Sequence, residues 1–327
     1  MNRETFYDEW NNGKTWVEVQ TSGSTGSPKV MRVLKSRMEA SARMTITFLG
    51  LREGMTLVNC LPEKYIAGKM MIVRSVVGKM KLIQIEPSGN PLRAIDTASH
   101  IHMIALTPMQ VYNILNDKEQ RVLFEAIDNI IIGGGAVDEE MENELRKMHN
   151  NIWSTYAMTE TLSHIAMRRL SGPKATLWYK PLEGVEISLS ERGCLQIEAP
   201  HLVDGILETN DIAEIRDDGS FRIIGRIDNV ICSGGIKLQV EELEARLHRE
   251  VKHGSYAMTW KSDRRLGQAL IIAYEGDEHL AEELKQASEN HLGQYERPKD
   301  YVMVSRIPTT ETGKIARSML HEMVEKL

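Results

Sequence analysis

The chain has 327 residues, with 46 acidic side chains against 40 basic ones and a formal charge of −6. Hydrophobic residues at 42% and charged residues at 26% exclude a disordered or fibrous chain and allow one large or two ordinary domains. Phe, Trp and Tyr together make only 6%, which with the acidic balance argues against a nucleic-acid partner.

Cys60, Cys194 and Cys232 are far apart with no CxxC pair, so neither a disulfide framework nor a thiolate zinc site is expected, and a reducing compartment fits best. The N-terminal stretch MNRETFYDEWNNGKTW has no apolar leader region. The most apolar run, Met70 to Val77, is interrupted by Arg74 and falls far short of the roughly 20 residues that cross a bilayer. The expectation is a cytoplasmic protein without membrane insertion.

In chain order, Ser36 and Glu39 have the spacing of a capping box, and Met38, Ala42, Ile46 and Leu49 follow at helical spacing. TLVNCL (56–61), KLIQIE (81–86), HMIALTP (102–108) and NIIIGGG (129–135) read as strands alternating with helical stretches. A helix after Asp138 would carry Met141, Leu145 and Met148 on one face, followed by a strand over Ile152 to Ser154. This alternation predicts an α/β domain with a parallel sheet, whose ligands sit in loops at the carboxyl ends of strands. From 177 to 226 short strands broken by Gly and by Asp217-Asp218-Gly219 predict a small antiparallel β subdomain. The remainder reads as a smaller α+β domain, giving 1–226 and 227–327 as the two domains.

Six segments carry chemistry. TSGSTGSPK (21–29) is a glycine- and hydroxyl-rich loop able to cradle phosphates, with Lys29 supplying charge; a solvated turn is the bland alternative. TYAMTET (155–161) offers Glu160, flanked by Thr159 and Thr161, as a hard-cation ligand, or else a helix start capped by threonines. GGGA (133–136) leaves backbone bare enough for a flat ring to lie against it. Asp211 in ETNDIAEI (208–215) can accept two ribose hydroxyls or end a strand. GRIDNVICSGGIKLQVEELE (225–244) and PTTETGKIAR (308–317), with Lys314, complete the series.

In this fixed order, from Thr21 to Arg317, the motifs resemble the adenylate-forming superfamily of acyl-CoA synthetases, luciferases and adenylation domains. The resemblance implies that ATP and a carboxylic acid form an acyl-adenylate, which a thiol, normally CoA, then attacks. It also implies that a mobile C-terminal domain rotates between the two steps. Thr21, Ser22, Gly23, Ser24, Thr25, Gly26 and Lys29 would hold the leaving phosphates, and Glu160, beside Thr159, would hold Mg²⁺. Gly133, Gly134, Gly135, Ala136 and Tyr156 would enclose the adenine. Asp211 and Arg226 would bind the ribose, Asp228 would be the hinge, Gly234 and Gly235 would line the CoA tunnel, and Lys314 would reach the reacting oxygens.

Three positions depart from the family pattern: Ala157 and Asn210 stand where Gly is usual, and Tyr65 stands where His or Phe gates the acyl pocket. YAMTETLSHIAMR (156–168) and GGGAV (133–137) look most like o-succinylbenzoate–CoA ligases of menaquinone biosynthesis. That substrate's second carboxylate would need cations or donors, for which Lys69, Arg74, Ser163 and His164 are candidates, with Tyr65 at the pocket gate. Arg74 on a helix surface and His164 in the core are the bland alternatives. A stand-alone adenylation enzyme loading a carrier protein shares the same catalytic set, and a non-catalytic descendant is disfavoured by that set's presence. His100 and His102 lack a third metal ligand nearby in sequence, and Lys261, Arg264 and Arg265 are either a solvated charge run, the favoured reading, or a cluster that meets the CoA nucleotide phosphates.

Overall fold

The structure is a computed structural model that describes residues 6–20, 30–95, 99–310 and 315–327. The chain divides into two compact units: 1–188, 196–207 and 215–222 in the first, and 189–195, 208–214 and 223–327 in the second.

The first unit opens with helix α1 (Phe6–Asn11) and strands β1 (Trp16–Gln20) and β2 (Val30–Leu34), antiparallel from Trp16 opposite Leu34 to Gln20 opposite Val30. Helix α2 (Lys35–Leu49) runs directly out of β2. Its start is set by the hairpin, because the Lys35 N–H donates to the Thr15 carbonyl at 2.9 Å. Ser36 lies inside the first turn, no side chain caps the helix, and the expected Ser36–Glu39 box does not form. Met38, Ala42 and Thr45 are buried on one face, and Gly50 closes the helix in the left-handed conformation.

There follow β3 (Thr56–Asn59), α3 (Ile66–Val77), β4 (Lys81–Gln84), β5 (Met103–Leu106), α4 (Pro108–Leu115), α5 (Lys118–Glu125), β6 (Asn129–Ile132), α6 (Glu139–Leu145), β7 (Asn151–Ala157), β8 (His164–Arg169) and β9 (Lys180–Pro181). These strands form a seven-stranded sheet in the order β4-β3-β5-β6-β7-β8-β9. The first five are parallel, and β8 and β9 extend the edge antiparallel. Every residue of β5 and β6 is buried, as strands covered on both faces require. Val58, Ile104, Leu106, Ile130, Ile132 and Ile152 point to the face covered by Val111, Ile114, Phe124, Met141 and Leu145 of α4 to α6. Losing a fully buried ring such as Phe124 costs about 3–5 kcal/mol. The expected α/β architecture is the observed one.

Next come β10 (Glu186–Leu189), β11 (Cys194–Glu198), β12 (Ile206–Ile215) and β13 (Phe221–Arg226), a four-stranded sheet in chain order. The predicted turn at Asp217-Asp218-Gly219 links β12 to β13, where the Gly219 N–H donates to the Arg216 carbonyl at 2.9 Å.

In the second unit, β14 (Val230–Ser233) and β15 (Ile236–Gln239) form a hairpin, followed by α7 (Val240–His248), β16 (Ser255–Asp263), β17 (Gly267–Glu275), α8 (Glu278–His291), β18 (Asp300–Met303) and α9 (Arg317–Glu325). The sheet order is β15-β14-β17-β16, with β18 added parallel to β17. Alternation along β17 divides its side chains between two layers. Leu270, Ile272 and Tyr274 pack with α7 and α8. Ile271 and Ala273 pack with Leu320 and Val324 of α9. Cys60 and Cys194 are buried and Cys232 is exposed, all three as free thiols. Burial pushes the Cys60 thiol up to about 12. No helix among the described residues is long and apolar enough to cross a membrane.

Candidate active site

Three loops leave the carboxyl ends of the adjacent parallel strands β5, β6 and β7. After β5, Thr107 caps α4 with a full capping box to Gln110, followed by Pro108. After β6, the Gly133 N–H donates to the Leu106 carbonyl at 3.1 Å, and Gly134 takes φ +83°. A Cβ on Gly133 would lie 2.6 Å from Thr155 Oγ1, itself donating to the Ile132 carbonyl at 3.1 Å, so only glycine fits there. Gly135 approaches the Pro108 ring, and Gly134 and Ala136 are exposed. The glycine segment therefore presents bare backbone at the sheet's carboxyl edge.

After β7, Tyr156 packs edge-on to Phe221 at 5.3 Å and tilted to Tyr179 at 6.0 Å. A register shift between Tyr156 and Ala157 leaves Ala157 opposite His164 as the last pair with β8. The next residues form a turn rather than the alternative helix start. The Leu162 N–H donates to the Thr159 carbonyl at 2.9 Å, and Leu162 takes a left-handed φ of 65° while fully packed. Thr161 is buried and its Oγ1 lies 2.8 Å from the Ser163 carbonyl, stapling the turn. Glu160 is exposed at the tip, a placement suited to an oxygen ligand for a hard cation.

Arg74, Ser163 and His164 come together although 89 and 90 positions separate them. Arg74 is not on a surface: it is 2% exposed within α3. Its Nη2 donates to Ser163 Oγ at 2.6 Å and its Nη1 contacts Met71 Sδ at 3.6 Å. Its Nε is buried without a hydrogen-bond partner, and no carboxylate pairs with it among the described residues. Burial lowers the guanidinium to about 9, which still leaves it charged at neutrality. His164 is held well below its ordinary value by burial and by the Arg74 charge, so it is neutral. Its Nε2 lies 2.9 Å from Thr45 Oγ1. Lys69 does not join this group. Its ammonium donates to the Glu18 carbonyl at 2.7 Å and to Glu9 at 3.2 Å, above the Phe6 ring. Tyr65 precedes α3, with the Lys64 ammonium 4.7 Å over its ring.

In the second unit, Arg226 Nη1 donates to Asp211 at 3.2 Å and its Nη2 to Asp228 at 2.6 Å. Burial lowers the Arg226 guanidinium, but the hydrogen bond to Asp228 and the charges of Asp211, Asp228 and Glu241 outweigh it and hold the value above the ordinary one. Gly234 and Gly235, both at positive φ, form the two-residue turn between β14 and β15 that such a hairpin requires. Arg317, the first residue of α9, is bound at two points to the buried Glu244, at 2.6 and 3.1 Å. That pair and the bridge between Thr309 and Ile315 flank the segment containing Lys314. Thr21, Ser22, Gly23, Ser24, Thr25, Gly26 and Lys29, like Lys314 itself, lie outside the described residues.

A profile of the family described as AMP-binding enzyme matches residues 19–194, more than half of the chain. The chain belongs to the AMP-binding enzyme family. Among its relatives is the 2-succinylbenzoate–CoA ligase of Staphylococcus epidermidis, 27% identical over 91% of this chain and 67% of that one. The Lactococcus lactis enzyme of the same name is 24% identical over 94% and 71%. Among solved structures, an acyl-CoA synthetase (AMP-forming)/AMP-acid ligase II-like protein from Dyadobacter fermentans is 33% identical, with a TM-score of 0.66 covering 96% and 91%. The o-succinylbenzoate CoA synthetase of Bacillus subtilis, bound to its acyl-adenylate, superposes with a TM-score of 0.78 at 21% identity over 93% and 68%, a likeness of fold.

The AMP-binding chain also holds groups that motif reading passed over. Asp128 approaches His100 at 3.0 Å and supplies the third ligand missing beside His100 and His102. Yet His102 Nδ1 accepts from the Thr56 N–H at 3.0 Å, which puts the neutral ring's proton on Nε2 and removes the lone pair a metal would need. Arg264 and Arg265 are exposed in the β16–β17 turn, and Lys261 is half-buried on β16. Thr45 carried a signal in retrospect: a hydroxyl on the buried face of α2, in register with Met38 and Ala42.

Proposed function

We propose that this AMP-binding enzyme is an ATP-dependent carboxylate–CoA ligase whose acid carries a second, remote carboxylate, with 2-succinylbenzoate as the lead substrate. The observation that carries the choice of acid is the buried, charged Arg74 with no anionic partner among the described residues. A lone guanidinium in a dry site is costly unless a ligand's carboxylate completes the pair. Ser163 and the neutral His164 line the same place. The named relatives supply the lead substrate.

In this reading a carboxylate oxygen of the acid attacks the α-phosphorus of ATP, the bond to the β-phosphate breaks, and pyrophosphate leaves. The CoA sulfur then attacks the acyl carbon and AMP departs. Residues 21–29 with Lys29 hold the leaving phosphates, and Gly133 to Ala136 and Tyr156 enclose the adenine. Asp211 with Arg226 holds the ribose, and Lys314 stabilises charge developing at phosphorus. The exposed Glu160 carboxylate, beside Thr159, would hold Mg²⁺, whose charge would offset that of the phosphates. The domains are 1–226, which includes the β-rich 177–226, and 227–327, which turns about Asp228 to bring Gly234 and Gly235 to the pantetheine. The enzyme works in the cytoplasm on small molecules.

The test is AMP release from ATP, Mg²⁺ and CoA with 2-succinylbenzoate and with 4-oxo-4-phenylbutanoate, which lacks the ring carboxylate. The shorter acid should show a KM about a hundredfold higher, the cost of leaving a buried charge unpaired. Arg74→Met should erase that difference, and equal KM values in the wild type would sink the assignment. Lys314→Ala should cripple adenylation but spare thioester formation from supplied acyl-adenylate. AMP release that needs an added phosphopantetheinyl carrier protein, which becomes acylated while CoA is not consumed, would move the acceptor to that protein.

A further inference from the structure

Behind Arg74 and Ser163 the buried hydrogen bonds run in one direction. Thr45 Oγ1 donates to the Ser41 carbonyl one turn earlier in α2, at 3.2 Å. A hydroxyl has a single proton, so at 2.9 Å the same oxygen accepts from His164 Nε2. The proton of the neutral His164 ring is then on Nε2, and Nδ1 turns its lone pair toward Ser163 Oγ, 3.5 Å away. Ser163 Oγ in turn accepts from Arg74 Nη2 at 2.6 Å. Thr45 and His164 are 0% and 3% exposed, so no solvent can replace either partner.

We propose that Thr45 is a positioning residue for acid selection: it fixes His164 as the Nε2–H tautomer and so leaves the Ser163 oxygen to Arg74 alone. This rests on the ligase reading above and extends it to a residue that touches no substrate. With the other tautomer, His164 Nδ1–H would take the second Ser163 Oγ lone pair, and the Ser163 proton would lose Nδ1 as its acceptor and have to turn elsewhere. The hydroxyl that aims the guanidinium would then be oriented by two donors instead of by Arg74 alone.

Thr45→Val keeps the shape and removes the hydroxyl, and Thr45→Ser restores it. The first readout needs no activity: nitrogen-15 NMR of histidine-labelled full-length chain, with His164 assigned by its loss in His164→Gln. The wild type and Thr45→Ser should show a protonated Nε2 and a bare Nδ1, and Thr45→Val should populate Nδ1–H. The second readout is kinetic. Thr45→Val should raise KM for 2-succinylbenzoate about fivefold to tenfold, the worth of one buried hydrogen bond, with KM for ATP unchanged and Thr45→Ser close to wild type. A proton on Nδ1 in the wild type overturns the proposal, as does a Thr45→Val enzyme with an altered tautomer and an unaltered KM. A wild type that activates no dicarboxylic acid sinks the ligase reading instead, while the NMR still decides the tautomer.

Discussion

Asn210 donates its side-chain amide to both carboxylate oxygens of Asp228, at 3.1 and 3.2 Å. Arg226 Nη2 donates to Oδ2 of the same carboxylate, so the proposed hinge residue is held by two neighbours. The family resemblance leads one to expect glycine at this position, and a glycine has no side-chain amide to offer. Asn210→Gly is expected to ease rotation and speed thioester formation from supplied acyl-adenylate by about threefold, the size of a weak exposed hydrogen bond. Asp228→Pro should suppress that step and spare adenylation. Stopped-flow measurement of each half-reaction checks both, and a slower thioester step in Asn210→Gly would contradict the clasp.

Arg74 gives a prediction in which stability and activity part. An unpaired charge in a dry site destabilises the free chain, and an apolar side chain of similar length does not. Arg74→Met should raise the unfolding free energy by about 1–3 kcal/mol while abolishing selection of the dicarboxylic acid. Urea melts of the two proteins without ligand decide it; a less stable Arg74→Met protein would mean that the guanidinium is satisfied as it stands.

His164 sets a pH dependence. Its native value lies well below 6.5, so above pH 6.5 the ring is neutral folded and unfolded and contributes no slope. As the pH falls through 6.5 the unfolded chain takes up a proton that the native chain refuses. Stability then drops by at most about 1.4 kcal/mol per pH unit until the native value is reached. His164→Gln should remove that part of the acid slope, as read from denaturant midpoints between pH 7 and 5. Parallel profiles for the two proteins would show that His164 charges freely in the native state.

Gly133 is tested through the oxygen it faces. Gly133→Ala pushes a methyl group onto Thr155 Oγ1, and overpacking of this kind costs about 1–3 kcal/mol. Thr155→Ala removes the obstacle, so the double variant should recover at least half of the loss. Additive destabilisation in the double-mutant cycle would place the strain elsewhere.

The α/β alternation was legible because β3, β5 and β6 are short apolar runs bounded by helical spacing, and the β12–β13 turn announced itself through Asp-Asp-Gly. The helix start at Lys35 departs from the Ser36–Glu39 capping-box pattern because a cross-hairpin bond to the Thr15 carbonyl, invisible in sequence, outranks it. The turn after Glu160 was open between two forms because its threonines suit either. The grouping of Arg74 with Ser163 and His164 followed from motif order, but the burial of Arg74 did not, since one arginine in an apolar helix looks the same facing in or out. Thr45, Asp128 and the Arg317–Glu244 pair were hidden because their partners lie far away in the chain. Spacing rules see only neighbours.

Of the three thiols, two are shut inside apolar packing, whereas Cys232 is exposed on β14, two residues from the Gly234–Gly235 turn. An alkylating dye should therefore modify the native polypeptide at a single sulfhydryl, with no engineered substitution. A fluorophore there would ride on the second unit and report its environment in real time as ATP, acid and CoA are added in turn.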